Sequence, residues 1–405
     1  MAVGKQDIPT IYPVKGIRLS AVESNIRYTD RLDLVLIELT QASSVSGVFT
    51  RNAFCAAPVV VARQHLEEKP SRYFLINTGN ANAGTGKAGE QNAQDCCKAL
   101  AQLTSIDSFE VLPFSTGVIG EALPIEKIKA AMPRSIENLH QDNWQDAAEG
   151  ILTTDTRPKI ASTQVELDGE TINITGIAKG SGMIKPNMAT MLAFVFTDAA
   201  ISQDALTEYL NSAVDKSFNR LTVDGDTSTN DCCMLVATGE SAAEDIGVNA
   251  IHSAKFSSAL DKIFVDLAKG LIKDAEGASK FVTVRVSSAA NTEECLAVAY
   301  TVAESPLVKT ALFASDPNWG RILAAVGRAG LESLAIDQVS ISLGDVKLVS
   351  YGALDPSYTE EAGQDEMDKE EILIHINLAR GDAEETVWTS DLSHEYVRIN
   401  AEYRS

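Results

Sequence analysis

The sequence predicts an α+β protein in which mixed β-sheets are layered with helices. Short β-branched or aromatic runs bounded by turn formers recur along the chain, which marks a sheet-rich protein. Two long segments instead space their apolar residues at the helical period. The two kinds do not alternate in the strict strand–helix–strand order of a doubly wound parallel sheet. Taken in order, the expected strands are Leu34 to Leu39, Tyr73 to Asn77, Glu110 to Phe114, Thr171 to Ile177, Thr190 to Phe196, Met234 to Ala237, Phe281 to Val286 and Ile372 to Leu378. The segment STGVIG from Ser115 reads as the turn after its strand. One helix carries the stripe Ala205, Leu206, Leu210, Ala213, Val214 and Phe218; a second carries Phe256, Leu260, Ile263, Phe264, Leu267 and Leu271. Seven carboxylates against one lysine between Glu360 and Glu371 read as a solvated loop.

Composition narrows the function classes. A length of 405 residues suits one or two lobes with sizeable cores, and 45% hydrophobic with 22% charged residues excludes a disordered or collagen-like chain. A net charge of −22 argues against nucleic acid or an anionic membrane as partner, and points to small molecules or further copies of the chain. The six cysteines form no C-x-x-C spacing and suit a reducing compartment; the five histidines form no H-x-x-x-H pair, so no metal site is expected. The amino-terminal segment lacks the apolar core of a signal peptide, and no run approaches the roughly 18 apolar residues of a membrane span. A cytoplasmic protein is expected.

Four internal segments are dense in small polar residues, which suggests backbone lying close to a ligand: NTGNANAGTG from Asn77, STGVIG from Ser115, GSGMIKPN from Gly180 and DGDTSTND from Asp224. The last has Asp224, Asp226 and Asn230 at alternating positions but lacks the sixth-position glycine and twelfth-position glutamate of a calcium loop, so a polar turn near the site is expected. The doublets Cys96-Cys97 and Cys232-Cys233 read as buried small residues.

The segment from Gly176 to Ala199 carries the most chemistry. Thr190 follows the small Ala189 where a glycine-containing loop enters an apolar strand. Threonine is a good strand former, which alone accounts for many residues so placed. A hydroxyl there can also attack the Ala189 carbonyl, forming an ester that water cleaves. The freed α-amine, with a pKa of about 7.7 to 8.0, then serves as base for the Thr190 hydroxyl without a histidine.

The motif KPNMATM at Lys185 to Met191 resembles the self-cleavage site of ornithine acetyltransferase, also called glutamate N-acetyltransferase, of arginine biosynthesis. Further segments are similar to that family: STGVIGE at Ser115, TVDGDTSTND at Thr222, DAEGASKF at Asp274, DPNWGRILAA at Asp316 and the terminal INAEYRS. The resemblance spans nearly the whole chain. It implies a two-lobed α-β-β-α sandwich made as a self-cleaving precursor. An α chain of residues 1–189 would carry the oxyanion hole and part of the substrate site; a β chain of residues 190–405 would begin with the nucleophile. By the same resemblance Thr116 and Gly117 supply the oxyanion donors, and Thr153, Lys179, Thr190, Glu276, Asn400 and Ser405 contact substrate. Acetyl would move from N-acetylornithine to glutamate through acetyl-Thr190, with no cofactor and with acetyl-CoA as a second donor. The two chains would stay associated, as a heterotetramer of two each. Placing the substrate carboxylate on Lys179 and its ammonium on Glu276 is an expectation from charge. Two alternatives stand beside this one: a self-processing amidohydrolase or aminopeptidase, and a non-catalytic amino-acid-binding protein.

Overall fold

The computed structural model describes residues 2–5, 8–167, 169–185, 191–243, 245–246 and 250–402. The first stretch of chain holds β1 (Ile17–Val22), β2 (Leu34–Leu39), β3 (Ser44–Phe49), α1 (Ala57–Glu68), β4 (Tyr73–Asn80), α2 (Gly86–Thr104), β5 (Val111–Val118), α3 (Ile125–Glu137) and α4 (Trp144–Gly150). The middle holds β6 (Lys159–Leu167), β7 (Glu170–Lys179), β8 (Leu192–Thr197), α5 (Gln203–Lys216), β9 (Leu221–Thr222), β10 (Cys232–Ala237) and α6 (Ala250–Lys273). The remainder holds β11 (Phe281–Ala289), α7 (Thr292–Ala303), α8 (Pro306–Phe313), α9 (Trp319–Gly327), β12 (Ser340–Leu343), β13 (Val346–Ser350), β14 (Ala353–Leu354), α10 (Glu360–Met367), β15 (Glu371–Asn377), β16 (Ala383–Ser390) and α11 (His394–Ala401).

These strands form three sheets, of order β1-β2-β4-β5, β3-β10-β8-β7-β6 and β14-β13-β12-β15-β11-β16-β9. Each is mixed, as expected: β4 with β5, β8 with β10 and β11 with β15 run parallel among antiparallel neighbours. Strand β8 shows why the first two sheets stack. Its residues are all buried, and successive side chains point to opposite faces. Leu192, Phe194 and Phe196 join the core shared with the first sheet, whereas Ala193 and Val195 join the core under α5 and α6. Phe194 lies 5.9 Å from Phe74 and 5.1 Å from Phe114 between ring centroids. Leu34 and Leu36 turn the other way, onto α2 and α3, in company with Cys96, Cys97, Leu100, Ile128 and Met132. The layer order is therefore helix, sheet, sheet, helix. The third sheet closes a separate core with α7, α8 and α9. No described helix is long and apolar enough to cross a membrane.

Two sequence expectations fail. The acidic stretch is not a loop at its start: α10 forms there because Thr359 caps it by accepting from Ala362 N–H, Glu360 and Glu361 sit where the helix dipole favours negative charge, and Gly363 and Met367 are buried. STGVIG is also not simply a turn, because β5 continues through Ser115, Thr116 and Gly117 to Val118, held in register by β4. Elsewhere the expected strands are present with ends shifted by a few residues. Phe218, last in the α5 stripe, falls in a 3-10 turn just after that helix.

Candidate active site

The site is built where strands of the two stacked sheets end. Thr116 and Gly117 lie near the end of β5, and Lys179 is the last residue of β7. Loops supply the other walls: residues 153–154 before β6, 181–183 after β7, 228–230 before β10 and Glu276 between α6 and β11. The carboxy-terminal helix α11 adds Asn400. Together they enclose a cavity of about 380 Å³. All four small-polar segments contribute to it, through Ala81, Thr116, Gly182 and Asn230 among others.

Of the residues singled out from the sequence, Thr116, Gly117, Thr153, Lys179, Glu276 and Asn400 line this one cavity. Ala189, Thr190 and Ser405 lie outside the described residues. Their flanks are placed: Leu192 pairs with Lys179, and Cys232 N–H donates to Met191 O at 2.9 Å.

Gly117 shows why the strand end needs glycine. Its φ is +134°, and a Cβ would stand 2.3 Å from the carbonyl carbon of Gly79. Asn230 fastens this end by donating through Nδ2 to Ala81 O at 2.6 Å and Ser115 O at 2.9 Å. Gly182 serves in the same way opposite Glu276, whose Oε2 would be 2.5 Å from an added Cβ.

Lys179 and Glu276 are buried, with 9% and 8% of their surface exposed. Neither is the ordinary surface charge that most such residues are. Lys179 Nζ donates to Thr116 Oγ1 at 3.0 Å; Asn400 Nδ2 donates to Glu276 Oε2 at 2.8 Å. Burial lowers the Lys179 pKa, and the Asp155 carboxylate opposes that shift. Burial acts to raise Asp155, but the ammonium groups of Lys159 and Lys179 overcome it and hold the acid below the usual carboxylate range. Asp231 is raised well above that range by burial, with hydrogen bonds from Ser228 and the charge of Lys179 opposing.

Asp155, Thr154 and Ser181 are not singled out individually from sequence, and Asp224 reads there only as part of a polar turn. Asp155 accepts from Gly180 N–H and Thr153 N–H, and Asp224 accepts from Met183 N–H and Ile184 N–H just before the KPNMATM stretch. Thr154 and Ser181 hydroxyls bond across the cavity wall at 2.7 Å. Their signal was present in part, since Asp224 and Asn230 belong to DGDTSTND and Asp155 to the TTDT run holding Thr153. The Asp224 carboxylate accepts from the Met183 and Ile184 amides and from the Tyr396 hydroxyl. The cysteine doublets are buried as expected, and burial pushes the Cys96 thiol up to about 12 and raises Cys97, Cys232 and Cys233, which disfavours their thiolates.

Comparison with known proteins follows the same lines. The chain is similar to arginine biosynthesis bifunctional protein ArgJ of Pseudomonas fluorescens, 53% identical with all of both chains covered, and to that of Psychrobacter arcticus, 54% identical with the same coverage. The crystal structure of the Bacillus halodurans protein of that name aligns at 37% identity over 51% of this chain and 97% of its own, with a TM-score of 0.49. A family model described as ArgJ matches residues 18–405. The chain belongs to the ArgJ family.

Proposed function

We propose that the protein moves acetyl from N-acetylornithine to glutamate through an ester on Thr190, formed after the chain cuts itself between Ala189 and Thr190. The observation that supports this best is the convergence of Thr116, Gly117, Thr153, Lys179, Glu276 and Asn400, drawn from distant parts of the sequence, on one cavity. An amino-acid substrate needs opposite charges at its two ends, and a buried lysine and glutamate provide them. Thr190 Oγ attacks the acetyl carbonyl carbon and gives its proton to the Thr190 α-amine. The tetrahedral oxyanion takes hydrogen bonds from Thr116 and Gly117; donors of this kind typically contribute about 3 kcal/mol or more each to the transition state. Collapse breaks the amide C–N bond, and ornithine leaves with the proton. Glutamate then attacks the ester, so the cycle is ping-pong. Acetyl-CoA acts as a second donor to Thr190, a reading supported by the bifunctional names of the curated relatives. The 1–189 and 190–405 chains remain associated after cleavage, as two copies of each.

Intact mass measurement of the wild type and of Thr190→Ala, paired with an acetyl-transfer assay, tests the reading. The expected result is two chains and active transfer for the wild type, one chain and no transfer for the variant. An uncut wild type with normal turnover would refute it. Acetyl transfer to glutamate from acetyl-CoA, without N-acetylornithine, checks the second donor.

A further inference from the structure

An ammonium group only donates hydrogen bonds. In the Lys179–Thr116 bond, Thr116 Oγ1 is therefore the acceptor, and its own hydrogen is left to point elsewhere. Among the described residues that hydroxyl meets no acceptor, and Thr116 lines the cavity. Lys179 thus polarises a donor that lines the cavity.

A buried network stands behind Lys179. Asp155 accepts from Gly180 N–H at 2.7 Å, Thr153 N–H at 3.1 Å and Lys159 Nζ at 2.5 Å, with its side chain 0% exposed. Lys159 is shared with Asp274, also at 2.5 Å. Asp274 is itself held by Thr156 N–H at 2.9 Å and by the Thr156 hydroxyl. Two buried carboxylates sharing one lysine leave a net negative charge toward Lys179. One carboxylate also ties the wall at Thr153 to the strand end at Lys179 and Gly180.

We propose that Asp155 is a positioning residue for acyl transfer, holding Lys179 cationic behind Thr116 so that the Thr116 hydroxyl hydrogen is presented to the developing oxyanion. This rests on the acetyl-transfer reading above. As Thr190 Oγ bonds to the acetyl carbon, the carbonyl π pair moves to oxygen and the Thr116 O–H shortens its hydrogen bond to that oxygen. No proton leaves Lys179 in the step. The titratable groups facing Lys179 are Asp155 and Glu276, whose charges favour its cation, Asp231, which would favour it only when ionised and whose acid form burial stabilises, and Lys159, which opposes it.

The pH dependence of kcat for acetyl transfer tests the proposal. In the wild type, activity falls on the alkaline side as Lys179 loses its proton, at a pH below its ordinary value because the group is buried. Asp155→Asn removes the charge that opposes this loss, so the midpoint of the alkaline limb moves at least one pH unit lower and kcat at neutral pH falls tenfold or more. Lys179→Arg carries a group that stays charged across the range, so the limb disappears. An alkaline limb unmoved in a folded Asp155→Asn protein overturns the proposal. Should that variant fail to fold, a limb persisting at the wild-type position in Lys179→Arg overturns it instead. Cleaved wild type that transfers no acetyl group would refute the acetyl-transfer reading itself and would be recognised before either variant is compared.

Discussion

Glu276 and Lys179 are residue types that proteins leave in water, because burying an unpaired charge is costly. Here they are buried where a ligand of complementary charge can neutralise them. Glu276 already accepts from Asn400, and its other capacity faces the cavity. Glu276→Gln keeps the shape and removes the charge. A hydrogen bond to a charged group contributes about 1.5–3 kcal/mol, so the KM for N-acetylornithine is expected to rise by roughly 10- to 100-fold with the chain still cleaved. An unchanged KM in steady-state assays would place the substrate ammonium elsewhere. Sequence reading reached these residues through motif likeness; nothing in their spacing indicates burial, which is a property of what folds over them.

Single elements show where local signals mislead. The acidic stretch after Thr359 has the charge density of a solvated loop, yet a cap and two buried positions suffice to make α10 helical. Thr359→Ala removes the hydroxyl that accepts from Ala362 N–H and is expected to cost about 1 kcal/mol in urea unfolding, with acetyl transfer unchanged because α10 packs on the third sheet. A loss of activity without loss of stability would contradict that assignment. In β5 the error was of the same kind, regular structure read as irregular. Its Ser, Thr and Gly residues read as a turn because small polar residues favour turns. They stay in a strand because β4 pairs with them through Gly117 and because Asn230 clamps Ser115 O.

At the scale of the molecule, the stacked sheets set the site by bringing the ends of β5 and β7 together. Phe194 sits at the centre of that contact, fully buried between Phe74 and Phe114. Phe194→Ala is expected to cost about 3–5 kcal/mol, read as a lowered unfolding midpoint in denaturant. A cost below about 1 kcal/mol would mean that the two sheets are not held by this core. Sequence alone determined the α+β class, the helices α5 and α6, the strand β2 and the segments rich in small polar residues, because periodicity and turn chemistry act over a few neighbouring residues. It also carried the family likeness, which lies in contiguous motifs. The three-sheet topology, the burial of Lys179 and Glu276, and the Asp155–Lys159–Asp274 network were decided only by tertiary structure. Each depends on residues brought together from distant parts of the chain, such as Lys159 with Asp274 and Glu276 with Asn400, and what sets the protonation of a side chain is the charge and solvent packed around it.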